Sequence, residues 1–465
     1  MRMASSGKSE LVVLANRLPV RKVDTGPSGD QWATSPGGLV SALAPILRER
    51  GGSWVGWPGD TGEAPKPFTH DGIRNVPVGL TSGELEAFYY GFCNRTIWPL
   101  FHDAVRPPEF HRRWWWPYVE MNSRFASAAA KRLSEDGTAW VHDYQLMLAP
   151  QMIRMKKPGA RIGFFLHIPW PPEELFAQIP WRRQIVEGLL AADVVGFQTK
   201  LAAINFARAA RRLTEATGSD SELRYRGRKV LVRAFPISID TERYEQLAES
   251  ETVLERVLSL REMLGPERRV ILGVDRLDYT KGIDVRLRSF EELLSRGTVS
   301  ASNTVFVQVA VPSREQVDEY THERESIERV VGRINGAFTE PGRVPVHYLY
   351  RSLPVEELVA YYLLADVLMV TPYRDGMNLV AKEYVASRRD GSGVLVLSEF
   401  AGAANELRGS LLVNPHDIDG MAQALEAALH LPKAEVGKRM SALRRVVRRH
   451  SVFNWADAFL KAVAA

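Results

Sequence analysis

Short apolar runs bounded by turn residues recur along this chain, and longer stretches of helical spacing separate them. In the first half the runs are "LVVLAN" (11–16), "TAWVHD" (138–143), "RIGFFLHI" (161–168) and "DVVGFQ" (193–198). In the second half they are "RVILGVD" (269–275), "TVFVQVAV" (304–311), "VPVHYLY" (344–350), "DVLMVTP" (366–372) and "GVLVLSE" (393–399). Runs that are apolar throughout, without strict alternation, predict strands covered on both faces. Their alternation with helices predicts parallel sheets built from βαβ units. The Pro-containing extended stretch "AFPISID" (234–240) lies between the two series and suits a hinge. The prediction is an α/β chain of two Rossmann-like domains with parallel sheets facing a central cleft.

Composition narrows the class without naming a function. With 465 residues the chain is long enough for two or three domains with real cores. A hydrophobic content of 45% and a charged content of 25% are those of an ordinary globular protein. The net charge of +5 is mildly basic and suits anionic small molecules or a plain surface bias. No Lys/Arg block is interleaved with aromatics, which argues against a nucleic-acid partner. The densest basic run, "RRVVRRH" (444–450), reads as a solvated helix face. Cys93 is the only cysteine, so neither an intrachain disulfide nor a thiolate cluster can form. The N-terminus lacks an apolar leader, and no apolar run approaches about 18 residues. A cytoplasmic protein without a membrane partner is the expectation.

Ligands of open parallel sheets sit at the carboxyl ends of the strands, so the residues just after each run carry the chemistry. Arg17 follows the first strand, and Gly37 and Gly38 open a helix where backbone can approach an anion. Glycine before a helix is also a common turn device. "GVDRLDYTKGID" places Arg276 and Lys281 after a buried strand, a fork and a point charge suited to a diphosphate, or two solvated loop cations. Arg314 and Asp143 end two further strands. His167 lies in an apolar run, where a histidine is more often a satisfied core residue. The Asp-x-Asp of "HDIDG" (416–420) reads as an N-cap, Asp419, and "HERESIERV" (322–330) as an exposed helix. No metal or other cofactor is called for.

One stretch resists a packing account. "TPYRDGMNLVAKEYVA" (371–386) follows a buried strand and opens a helix, yet carries Arg374, Asp375, Lys382 and Glu383. With Asp375 in the loop and Glu383 on the helix, the two acids can address different parts of one ligand. The amides of "DGMNLV" can face a phosphate or a sugar hydroxyl.

At this point a resemblance appears. "RDGMNLVAKEYVA", "GVDRLDYTKG", "WVHDYQLMLAP", "GFFLHIPWPPEELF", "LSEFAGAANEL" and "LLVNPHDIDGMAQAL" resemble the signature blocks of the trehalose-6-phosphate synthase family. These are retaining glycosyltransferases of family 20 with the two-Rossmann GT-B fold, and the likeness runs from about Leu11 to Trp455. The resemblance implies domains over 1–238 (acceptor) and 239–448 (donor), with a last helix, 449–465, returning to the first domain. It implies transfer of glucose from a nucleoside-diphosphate glucose to glucose 6-phosphate, with retention, through an α,α-1,1 linkage.

Carried over by motif, Arg276 and Lys281 neutralise the donor diphosphate and Gly37 and Gly38 give it backbone access. Glu383 accepts from the ribose hydroxyls. Asp375, Met377, Asn378, Leu379 and Val380 hold the transferring glucose, and Leu353 offers a backbone contact to the base. Arg17, Tyr89 and Arg314 take the acceptor's phosphate, Asp143 its hydroxyls, and Trp98 walls its pocket. His167 faces the transferring glucose. Asp375, Arg276, Lys281 and His167 form the catalytic set, with no single general base. The acceptor hydroxyl attacks from the front face and the departing phosphate takes its proton, unlike the two-carboxylate scheme of glycosidases. Closure across the hinge excludes water.

Three other readings compete: a fold relative coupling an activated cyclitol to an aminocyclitol phosphate, a non-catalytic phosphosugar sensor, and a nicotinamide-dependent dehydrogenase. Intact acceptor and donor sets count against the first two, and the missing G-x-G-x-x-G against the third. GDP-glucose is slightly preferred over UDP-glucose, because abundant Arg and Ala fit a GC-rich genome. Homo-oligomerisation is left open.

Overall fold

Nine apolar runs of the sequence become nine strands in the computed structural model, which describes residues 8–26, 29–35, 38–314 and 317–465; all but the edge strand from "VPVHYLY" are largely buried. The chain divides into two compact units, Met1–Ile237 with Val452–Ala465, and Ser238–Ser451. It passes from the first to the second inside "AFPISID", which has no regular secondary structure beyond Ala234.

Unit 1 begins with β1 (Ser9–Arg17), a hairpin of β2 (Val20–Gly26) and β3 (Gly29–Thr34), and β4 (Ser53–Trp57). Then come β5 (Phe68–His70), β6 (Ile73–Pro77), β7 (Leu133–His142), β8 (Arg161–Phe165) and β9 (Val194–Phe197). Three strands, β10 (Thr217–Gly218), β11 (Glu222–Tyr225) and β12 (Arg228–Ala234), complete the set. Among the described residues, ten of them form one sheet in the order β10-β11-β12-β9-β8-β7-β1-β4-β6-β5, with antiparallel pairing only at β10-β11, β11-β12 and β6-β5. In β1 residues 11–15 are all buried, as a strand covered on both faces requires.

The last helix, Val452–Ala464, belongs to unit 1 and lies on β8 and β9. Glycine makes the approach possible: a Cβ on Gly163 or Gly196 would come within 2.6 Å of the Phe459 ring. Trp140 of β7 stacks on that ring at 5.0 Å.

Unit 2 carries β13 (Arg269–Arg276), β14 (Thr304–Val311), β15 (Val346–Tyr350), β16 (Val367–Val370), β17 (Val394–Ser398) and β18 (Leu411–Val413). Among the described residues these form one fully parallel sheet, ordered β15-β14-β13-β16-β17-β18. Its core joins Ile271 and Phe306 of the sheet to Phe290 and Met421 of the helices.

Leaving aside the antiparallel edge strands β5, β10 and β11, in both units the chain reverses its direction of travel across the sheet at one place. In unit 1 that place is between β1 and β7, and in unit 2 between β13 and β16. Such switch points open a crevice at the carboxyl ends of the strands.

Two readings are corrected. The "HDIDG" cap is Asp417, which accepts from the Gly420 amide at 2.9 Å, while Asp419 turns to Arg296 at 3.1 Å. The basic run is not simply solvated: Arg444 and Arg448 both bind Glu245 at 2.7 Å. Among the described residues no helix is long and apolar enough to cross a membrane.

Candidate functional site

At the switch point of unit 2 two loops are stitched together. The Tyr373 amide, after β16, donates to Thr280 O at 2.8 Å in the loop after β13. Beneath them Arg286 is fully buried and binds Asp275 at 2.7 Å, Thr371 Oγ1 at 2.9 Å and the Lys281 carbonyl at 3.4 Å. The loop ends are held by this one guanidinium, a residue the sequence reading did not single out.

On that base Lys281 and Asp375 meet, Nζ to Oδ2 at 2.7 Å, with side chains 10% and 15% exposed. Arg276, the exposed last residue of β13, stands in the same loop. Asp278 accepts from Arg314 at 3.0 Å and from the Thr280 amide at 3.0 Å. Burial alone would raise the Asp278 carboxyl, but Arg314, Arg276 and Lys281 bring it down to about 2. Arg314 itself adopts a left-handed backbone, φ 49°, just before residues outside the description.

Asp375 lies in the loop and Glu383 on the helix Leu379–Ser387, the arrangement on which their joint role depends. Asn378 caps that helix through the Ala381 amide at 3.1 Å and donates to Asp375 Oδ2 at 3.3 Å. The first amides, Leu379 and Val380, have no helical carbonyl to bind, as at every helix start. Met377 is buried, and its carbonyl accepts from the Ala403 amide at 2.8 Å. Gly402 faces this loop so closely that a Cβ would overlap the Gly376 carbonyl oxygen. Leu353 lies in the connection from β15 to the helix Val355–Leu364.

Glu383 accepts from Tyr362 OH at 2.8 Å and from Tyr244, and burial pushes its carboxyl above the ordinary range against those bonds. Neither tyrosine was foreseen. Lys382 is buried against Glu406 at 2.7 Å, so its charge serves packing within the helix's surroundings. The expectation that the whole stretch is polar for a ligand is corrected at that residue.

The switch point of unit 1 is built differently. Arg17, at the end of β1, lies over the Trp57 ring at 4.3 Å, and Tyr89 approaches the same ring at 6.3 Å. Tyr89 stands on the π-helical segment Leu85–Ile97, whose wide turns are rare and often functional. Asn94 joins that segment to the end of β7, donating to Tyr89 O at 2.7 Å and accepting from Tyr144 OH at 3.0 Å. Trp98 is buried 5.7 Å from the Tyr144 ring.

Asp143, after β7, has φ 71° and accepts from the His167 amide at 3.2 Å. His167 Nε2 lies 3.0 Å from His142 Nδ1. Burial holds both imidazoles below their ordinary range, His167 at about 3. Gly37 lies outside the described residues, while Gly38 opens the helix Gly38–Arg50. Arg17, Gly38, Tyr89, Trp98, Asp143 and His167 thus belong to unit 1, and Arg276, Lys281, Arg314, Leu353, Asp375, Met377 to Val380 and Glu383 to unit 2. Among the described residues no group of three or more His, Cys, Asp or Glu could hold a metal ion.

A cavity of about 620 Å³ opens elsewhere in unit 1, lined by Arg154, Arg228 and Asp193 among others. It borders the starts of β8 and β12, the wrong edge for these residues.

The family model of glycosyltransferase family 20 matches residues 9–465. A trehalose-6-phosphate synthase from Mycolicibacterium gilvum is 52% identical, covering 99% of this chain and 94% of that one. An α,α-trehalose-phosphate synthase (UDP-forming) from Burkholderia xenovorans, solved in complex with glucose-6-phosphate, superposes with a TM-score of 0.90 at 36% identity, over 98% and 100% of the two chains. A structure from E. coli bound with UDP-2-fluoro glucose gives 0.89 at 34% identity, over 97% and 98%. Two parallel-sheet units with polar residues gathered at their switch points, together with a match along nearly the whole length, establish that the chain belongs to glycosyltransferase family 20.

Proposed function

We propose that this chain is a trehalose-6-phosphate synthase that moves glucose from a nucleoside-diphosphate glucose to glucose 6-phosphate with retention. The observation that carries the reading is the meeting of Lys281 and Asp375 at the switch point of unit 2, beside Arg276 and an open helix start. The relatives support it, one named for this reaction and another holding glucose-6-phosphate.

Unit 2 takes the donor. Arg276 and Lys281 neutralise the diphosphate as its charge grows on departure, in a site preorganised by Arg286. The open amides of Leu379 and Val380 add to that field. Asp375 and Asn378 accept and donate to the glucose hydroxyls, Glu383 accepts from the ribose, and Leu353 meets the base. Unit 1 takes the acceptor. Arg17 and Tyr89 bind its phosphate, Asp143 its hydroxyls, and Trp98 walls it.

In the transfer the bond from the anomeric carbon to the diphosphate oxygen breaks. The bond to the acceptor's 1-oxygen forms on the same face. The acceptor proton passes to the departing phosphate, so no side chain serves as general base. His167, neutral at ordinary pH, is suited to hydrogen bonding. Of the donors, GDP-glucose is proposed ahead of UDP-glucose on compositional grounds, against which stands the UDP-forming relative.

The test is turnover of glucose 6-phosphate with UDP-, GDP- and ADP-glucose, the product's linkage read by NMR. An α,α-1,1-linked disaccharide phosphate carries the reading, and the fastest donor names the base. Absence of product with all three sinks it and favours cyclitol coupling or a sensor.

A further inference from the structure

Two histidines stand side by side at the carboxyl ends of β7 and β8. His142 is fully buried, and its Nδ1 lies 3.0 Å from His167 Nε2. Both rings are neutral, because burial opposes their charge. A neutral imidazole donates from one nitrogen and accepts at the other. One proton must therefore lie between the two rings, on His142 or on His167.

The surroundings of His142 decide which. Its Nε2 is buried and has no hydrogen-bond partner among the described residues. The Trp140 ring lies 4.8 Å from the His142 ring and the Trp455 ring 6.4 Å away, and the two indoles are 5.1 Å apart. The Nε1–H of each indole is likewise buried without a partner among the described residues. A proton on His142 Nε2 would put a third unanswered donor in this group. A proton on Nδ1 instead makes Nε2 an acceptor beside two donors, which lowers the cost of burying all three.

With its proton on Nδ1, His142 donates to His167 Nε2. That nitrogen of His167 is then occupied as an acceptor, and its own proton must sit on Nδ1. We propose that His142 is a positioning residue that fixes His167 as the neutral Nδ1–H tautomer, so that His167 meets a ligand as a hydrogen-bond donor and not as a base. The tautomer follows from the burial of the two rings and their hydrogen-bond geometry, whereas its effect on transfer rests on the reading that His167 faces the transferring glucose. The Asp143 carboxylate, which accepts from the His167 amide, holds the backbone side of the same arrangement.

The test reads the tautomer directly. Two-bond 1H–15N correlation of the imidazoles separates Nδ1–H from Nε2–H, and His167→Asn assigns the His167 signals among the 10 histidines. His167 is expected as Nδ1–H in the full chain. His142→Asn keeps an amide donor where Nδ1 stood and should retain the tautomer and kcat within about threefold, whereas His142→Leu should lose the tautomer and lower kcat about 10- to 100-fold with KM little changed. His167 carrying its proton on Nε2 overturns the proposal whatever the activity. So does a His142→Leu variant with unchanged kcat. A protein with Nδ1–H His167 that forms no disaccharide phosphate upholds the tautomer and fails the functional reading instead.

Discussion

The two units solve the same topological problem with opposite chemistry. Each places its polar residues where the strand order reverses, β1/β7 in unit 1 and β13/β16 in unit 2. Unit 2 fills that place with full charges locked in pairs: Lys281 with Asp375, Arg314 with Asp278, Arg286 with Asp275. Unit 1 uses neutral imidazoles, a phenol and an arginine laid on an indole. A diphosphate requires cations held close despite their mutual repulsion, and buried carboxylates hold them. The fold supplies the place and the loops supply the chemistry.

The largest way to break this contrast is to remove a cation from unit 2. Lys281→Ala or Arg276→Ala should lower kcat by about 10²- to 10³-fold, as when a preorganised charge stabiliser is lost. Initial rates with both substrates varied check it. Normal turnover would refute the diphosphate assignment, and a loss confined to KM for glucose 6-phosphate would dissolve the contrast.

The mirror change is Arg17→Ala in unit 1. It should raise KM for glucose 6-phosphate about 10- to 100-fold, the scale of a lost charged hydrogen bond. Calorimetry of nucleoside-diphosphate binding should be unaffected. Equal weakening of both ligands would count against separate acceptor and donor roles.

Gly402→Ala probes packing in unit 2. The new Cβ must displace the Gly376 carbonyl, at a cost of about 1–3 kcal/mol. Thermal melting should fall, and nucleotide binding should weaken more than glucose 6-phosphate binding. An unchanged melting temperature would show that the loop moves freely.

The smallest effect separates the units by pH. The His142 and His167 pKa values are depressed on folding, so the unfolded chain binds more protons below about 6.5, and unit 1 loses stability as pH falls from there toward about 3. Asp278 is depressed to about 2, and its share of about 2 kcal/mol is present above about pH 4 and lost only below it. All 11 tryptophans lie in unit 1. Urea titrations followed by tryptophan fluorescence therefore report unit 1, and circular dichroism both units. A fluorescence midpoint constant from pH 7 to 5 would contradict neutral buried histidines.

Much of this was legible from residue order. Strands buried on both faces announce themselves as unbroken apolar runs, and all nine appeared. Arg276, Lys281 and Asp375 were visible because each lies within six residues of the end of such a run. Less legible were β4 ("SWVGW"), the β2–β3 hairpin and the π-helical segment carrying Tyr89, whose short or mixed patterns do not repeat with a helix or strand period.

What the sequence determined by itself was local: where strands run, which residues end them, and so which side chains reach the functional edge of each sheet. What only the tertiary structure decided was pairing. Trp57 lies under Arg17, Tyr244 and Tyr362 hold Glu383, and Arg286 ties Asp275 to Thr371, partners 11 to 139 residues apart in the chain. Lys382 and Glu383, adjacent in the chain, part company: one is neutralised by Glu406 and the other accepts from two tyrosines. Periodicity carries strand and helix along the backbone, but a charge's role depends on what the fold brings within about 3 Å of it.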